Sequence, residues 1–151
     1  MNRPLPERYR DIALLVARVL LSVVMFAHGY QKMVINGIGR TTEGFESLSI
    51  PLAIMSASFV TMVEFAGSAL LIVGALTPFV SACNLVIMGG AVVFVHGKNG
   101  IFVADGGWEL VGVIGVGFIL LAAVGPGRYS VDHVINNRQR QDREAMARAQ
   151  S

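Results

Sequence analysis

Seven polar residues, six of them ionisable, fall inside, or at the rims of, otherwise apolar stretches: Arg18, His28, Lys32, Glu64, His96, Asn99 and Glu109. The sharpest case is Glu64, in LAIMSASFVTMVEFAGSALLIVGAL. A charged side chain at the centre of a membrane helix costs roughly +2.5 to +3.5 kcal/mol even on lenient insertion scales. Such a carboxylate needs a cation, a proton or water beside it. Imidazoles such as His28 and His96 exchange protons near neutral pH. Lys32 is a compact cation, and Arg18 has a planar fork that can grip a carboxylate with two hydrogen bonds.

The surroundings of these residues are a membrane. Of 151 residues, 54% are hydrophobic and only 15% charged, where a soluble domain carries about 25% charged residues. The charges crowd toward both ends of the chain. The net charge of +2 therefore argues for topology signals rather than nucleic-acid binding. The lone cysteine, Cys83, lies in an apolar run without CxxC spacing, and reads as a small core residue.

A hydrocarbon core about 30 Å thick takes about 20 helical residues to cross. Four segments suffice: 11–33, 51–76, 78–95 and 108–124. Pro51 and Pro78 suit first-turn positions, and Gly125-Pro126-Gly127 stops the last span. Arg18 inside the first span, and the lack of an A-x-A site, read as a retained helix rather than a cleaved leader. The expectation is an all-α, four-helix transmembrane bundle over residues 1–132, with a polar tail over 133–151. Arg3, Arg8, Arg10, Arg128, Arg138, Arg140, Arg143 and Arg148 share one side, against Lys32, Arg40 and Lys98 on the other. The positive-inside rule then puts both termini in the cytoplasm. The tail shows no strong apolar face, but Arg140, Glu144 and Arg148 at i, i+4 spacing can support an exposed helix.

Within this frame the polar residues fall into two groups. Arg18 and Glu64 carry opposite charge at similar reckoned depth, about 10 Å from the cytoplasmic surface at 1.5 Å per residue. They are expected to pair, as a structural clasp or as a proton or ligand site. His28, Lys32, His96, Asn99 and Glu109 gather toward the outer face as a candidate ligand or proton site. Arg18, His28 and Lys32 fall within roughly 80° of one helix face. Trp108 reads as an interfacial anchor. Two lone histidines at span ends more often serve structure than carry haem, and no metal set has ligand spacing. There is no P-loop, GxGxxG or nucleophile elbow. No catalytic motif makes the chain an enzyme in its own right.

The first span (ARVLLSVVMFAHGYQKM) and the second with its turn (MVEFAGSALLIVGALTP) resemble the DoxX family of small bacterial membrane proteins, as do VHGKNGIF, GGWEL and GPGRYSVD. The resemblance implies a four-helix bundle in the bacterial inner membrane, with Arg18, His28, Lys32, Glu64, His96, Asn99 and Glu109 as the positions to watch. It also implies association with a quinone-linked, sulfur or oxidative-stress redox system. A quinone is the cofactor that reading admits, and none is expected to be carried intrinsically. The alternative is a non-enzymatic accessory or scaffold subunit of a larger respiratory membrane complex. Expected partners are membrane lipid and either other membrane subunits or further copies of the chain.

Overall fold

The computed structural model describes residues 6–150. Arg3, one of the cations used for orientation, lies outside the described residues. The first span is α1 (Glu7–Tyr30), whose buried row is Asp11, Arg18, Ser22, Met25 and Gly29. Those steps of seven, four, three and four residues trace one face of a helix.

The helix does not stop near Met33. A widened π-helical turn, Gln31–Asn36, carries it to Gly37. Gly37 has φ 73° and ψ 159°, a conformation cheap only for glycine, and it breaks the helix direction. A separate helix follows, α2 (Gly37–Ser47), packed against α3. Hydropathy alone marks this stretch only as a connection between the spans 11–33 and 51–76. Ile38, Phe45 and Leu48 do share a helix face of roughly 80°, but Gly37, Gly39 and Gly44 mask the signal.

The second span, Ala53–Val73, is built from α3 (Ala53–Met62), a second π turn (Val63–Gly67) and α4 (Ser68–Val73). The third, Thr77–Asn99, comprises α5 (Thr77–Ala91), a third π turn (Val92–His96) and a 3₁₀ turn (Gly97–Asn99). The fourth apolar helix, α6 (Glu109–Val124), has 16 residues, roughly 24 Å at the usual helical rise. The tail forms α7 (Val131–Ala149), none of whose residues is buried. Three long apolar helices and one shorter one make an all-α, four-helix membrane bundle.

Lipid is as apolar as leucine, so burial of apolar surface does not by itself draw these helices together; close backbone approach and polar contacts do. A Cβ on Gly29 would stand 2.4 Å from Phe65 N and 2.5 Å from Glu64 C, so α1 lies directly on the backbone of the second span there. Gly117 meets Leu21, and Gly115 meets Met88. Phe26 and Phe65 stack at 4.8 Å beside the Gly29 contact. The apolar centre is Met25, Leu71, Val80, Ile87, Met88, Phe118 and Leu121.

Candidate functional site

Arg18 does not reach Glu64. Its guanidinium donates to the carbonyls of Pro126 (2.5 Å) and Tyr129 (2.7 Å), and the acid acting on it electrostatically is Asp132. Glu64 is instead paired with Lys32, Nζ to Oε2 at 2.5 Å. The expected pairing failed on depth. An average membrane thickness puts the two side chains at one level, but the contacts between the helices set Glu64 further out. Gly74 is level with Arg18, since a Cβ there would lie 2.7 Å from Nη1. From Gly74 to Glu64 is ten residues, roughly 15 Å.

Arg18 therefore belongs to a clasp at the end of the bundle from which α7 leaves, the end that the positive-inside rule assigns to the cytoplasm. Its fork holds the Gly-Pro-Gly turn after α6 onto α1. Asp132, from the start of α7, accepts the backbone N–H groups of Leu76 and Thr77, both at 2.8 Å, and caps α5 from a distant part of the chain. A carboxylate at a helix N-terminus also meets the positive end of the helix dipole. The Asp132 N–H donates to the Gly74 carbonyl (3.0 Å). Gly74 itself has φ 73° and no room for a Cβ, with Ser130 Cβ 2.5 Å from where one would sit. Arg128 ties in α1 through Glu7 (2.6 Å) and Asp11 (3.6 Å).

The outer half of the bundle holds a cavity of about 380 Å³ lined by His28, Lys32, Glu64 and His96 among mostly apolar side chains. The Glu64 side chain is 5% exposed and that of Lys32 21%. The contact at Gly29 explains how the pair forms. With the two backbones touching there, Lys32 lies about one turn further along, in the Gln31–Asn36 turn, within reach of the carboxylate. His28 acts electrostatically on Glu64 from the same helix. Lys32, Glu64 and His96 each sit in one of the three π turns. Such turns are rare and shift the side chains that follow them around the helix axis.

His96 is oriented by the outer loop. Its Nδ1 lies 2.7 Å from the Gly106 carbonyl. A carbonyl only accepts, so Nδ1 carries the proton and Nε2 is left as an acceptor on a ring that lines the cavity. Asn99 and Glu109 do not join the cavity lining. Asn99 Nδ2 donates to the same Gly106 carbonyl (3.3 Å), and Glu109 Oε1 accepts the Val103 N–H (2.7 Å). Both shape the loop that aims His96.

Two features of the cavity had no clear sequence signal. Phe45 of α2 and Ile50 just after it wall its outer end. Phe59 and Val86 also line it while remaining 46% and 68% exposed. The cavity therefore reaches the lipid-facing surface between α3 and α5.

Fold and site together define a small multi-pass membrane protein whose outer half encloses a laterally open cavity with a partly buried lysine–glutamate pair. The DoxX family model matches residues 13–97, which include Arg18, His28, Lys32, Glu64 and His96, and the chain belongs to that family. It is similar to the inner membrane protein YqjF of Escherichia coli K12, 29% identical over 140 residues, covering 87% of this chain and 98% of the relative. It is also similar to the inner membrane protein YphA of the same organism, 29% identical over 133 residues, covering 82% and 90%. No solved structure matches significantly. The chain is a multi-pass protein of the bacterial inner membrane.

Proposed function

We propose that the protein is a quinone-linked subunit of a membrane redox system, and that its outer cavity holds the headgroup of a membrane quinone. The carrying observation is the cavity itself: about 380 Å³, apolar over most of its wall, charged at one level and open sideways to lipid. Ligand pockets of roughly 300–1,000 Å³ with few convergent polar groups suit drug-sized amphiphiles. The residues present fit a quinone. Lys32 keeps N–H donors beyond the one given to Glu64, for a carbonyl oxygen. His96 Nε2 accepts, which suits a hydroxyl. The lateral opening lets an isoprenoid tail stay in the bilayer.

A bound quinone would supply two-electron, two-proton redox chemistry, with the electrons coming from a partner oxidoreductase. This chain's part is to bind, to orient and to hold a proton. Glu64, nearly buried beside Lys32, is the proton-holding group, and the Gly106 contact fixes which face of His96 accepts.

The test is to purify the full chain in mild detergent and quantify quinone in the extracted lipid against bulk membrane. Enrichment in the wild type, lost in Lys32→Met and His96→Leu, is the expected result. No enrichment in the wild type would sink the reading. Co-purification of respiratory subunits in its place would favour the accessory-subunit alternative. The fully unburied α7 helix is the observation behind that alternative.

A further inference from the structure

Where the second span ends, the first turn of α7 lies against it. The Asp132 N–H bonds to the Gly74 carbonyl, and the Asp132 carboxylate accepts from Leu76 and Thr77. Beside that contact runs a shallow groove whose lining includes Val73, Tyr129, Val131, Val134, Ile135 and Arg138. Val73 closes the apolar second span and is 51% exposed, so it faces lipid. The groove therefore starts on the lipid-facing surface and continues onto α7. Tyr129, Val131, Val134 and Ile135 are open as well, each between 41% and 51% exposed.

Spacings of i, i+3, i+4 and i+7 put Val131, Val134, Ile135 and Arg138 on one face of α7. Arg140 and Arg143 lie on the opposite side, and Arg140 is paired with Glu144. Arg138 makes no hydrogen bond or ion pair among the described residues, and no acidic side chain lines the groove. Long side chains on a helix lean toward its N-terminus. That carries the Arg138 guanidinium back toward Val73 and the edge of the membrane. The groove thus offers an apolar strip at its membrane end and an unpaired planar cation beside it. A phospholipid is complementary to both, with an acyl chain for the strip and a phosphate for the arginine fork. Tyr129 is of the type enriched at the level of lipid headgroups. Aliphatic side chains with a cation among them, on a helix that starts at the membrane edge, are removed from water when that face lies in the headgroup region.

We propose that this groove seats an anionic phospholipid of the leaflet on the α7 side, with its acyl chain along Val73 and its phosphate on the Arg138 guanidinium. The first two turns of α7 then lie in the headgroup region, with Val131, Val134 and Ile135 turned toward the acyl chains. The anionic class follows from the single unpaired cation. A zwitterionic lipid brings the same phosphate, but its own ammonium competes for that phosphate and repels the guanidinium. An anionic lipid brings the phosphate with a net charge that Arg138 balances. The seated lipid holds α7 in the position from which Asp132 caps α5, so the clasp becomes sensitive to lipid composition. The outer cavity and its occupant play no part in this.

Tryptophan quenching by brominated lipid tests the proposal. The chain has one tryptophan, so a Trp108→Phe background lets Val134→Trp report from the groove and Asn136→Trp from the opposite face of α7. Each full-length variant is placed in vesicles of phosphatidylcholine with a minor share of phosphatidylglycerol, and bromine is carried on the chains of one lipid or the other. Val134→Trp should be quenched and Asn136→Trp should emit as in water. The quenching should give phosphatidylglycerol a roughly five-fold tighter association, the worth of one arginine at an anionic surface. Arg138→Gln should bring that ratio to one. Quenching of Val134→Trp no stronger than that of Asn136→Trp overturns the proposal, since the groove would then face water and be open to a protein partner. Equal association of the two lipids with Arg138 present also overturns it. So does loss of the preference when sodium phosphate replaces chloride at constant ionic strength, because the site would then take a free anion. If the tryptophan variants do not insert, native mass spectrometry of the wild type with the same two lipids decides. Preferential retention of phosphatidylglycerol, reduced by Arg138→Gln, supports the site, and equal retention removes it.

Discussion

Each end of the bundle holds a cation from the first span, Arg18 buried and Lys32 partly buried, and the two are used in opposite ways. Arg18 is 1% exposed and spends its fork on two carbonyls, with Asp132 nearby. Those carbonyls belong to the turn that joins the last span to α7. Lys32, fourteen residues on, meets one carboxylate in a cavity that opens to lipid. The clasp closes on chain already present, through neutral acceptors in fixed positions. The outer pair keeps donors to spare and space beside them. Arginine's rigid fork suits the first task, and lysine's single mobile ammonium suits the second. A buried cation in a membrane is thus a functional signal only when the groups around it leave something for a ligand.

The largest effect is expected from breaking the clasp. Arg18→Leu leaves the Pro126 and Tyr129 carbonyls without their buried donor and removes the cation near Asp132, and each hydrogen bond to a charged group is worth about 1.5–3 kcal/mol. Thermal unfolding in detergent should show it, with Arg18→Lys restoring only part because one ammonium cannot reproduce the fork. The double exchange Arg18→Glu with Glu64→Arg should give no recovery. Recovery of protein level would put the two side chains back in contact and undo the comparison.

Next comes the seam between the two ends. Gly29→Val places side-chain atoms where the Glu64 and Phe65 backbone already stands. Overpacking of this kind costs about 1–3 kcal/mol. It should also part Lys32 from Glu64, so that retained quinone falls further than thermal stability does. Equal loss of both would mean that the cavity has no function separate from the fold.

The outer pair should separate stability from binding. Glu64→Leu alone leaves Lys32 unpaired, but a partly exposed lysine can swing toward the headgroups, so the destabilisation should be smaller than for Arg18→Leu. Adding Lys32→Met should return stability close to wild type, since apolar replacements of buried ion pairs are often neutral. Quinone retention should stay lost in the double variant. A double variant that still retains quinone would make the pair a second clasp. The smallest of these effects belongs to the remote cap: Asp132→Ala should cost about 1 kcal/mol, read as a modest drop in unfolding temperature with quinone retention unchanged.

Much of the architecture was legible because lipid imposes lengths and polarity on each segment. The expected spans 51–76 and 108–124 overlie Ala53–Val73 and Glu109–Val124. Arg140 and Glu144 do pair along an exposed helix, at 3.2 Å. Of the outer-half residues, the structure brings His28, Lys32 and His96 to one cavity and adds Glu64 to them. Asn99 and Glu109 stand out in the sequence by polar character at a membrane edge, but they bond to loop backbone. In the sequence Gly29 is one small residue beside His28. Its role depends on the backbone it touches, which no local pattern encodes.

Composition, hydropathy and charge placement by themselves determined a four-helix membrane protein with a few ionisable groups too costly to be accidental. Those are properties of single segments in lipid, and each segment carries them alone. Which cation meets Glu64, what encloses the pair and where Arg18 spends its hydrogen bonds were decided only by tertiary structure. Partner choice depends on differences of one or two helical turns between neighbouring spans. Those differences are set by glycine contacts, π turns and the break at Gly37, and an average membrane thickness is too coarse a ruler to resolve them.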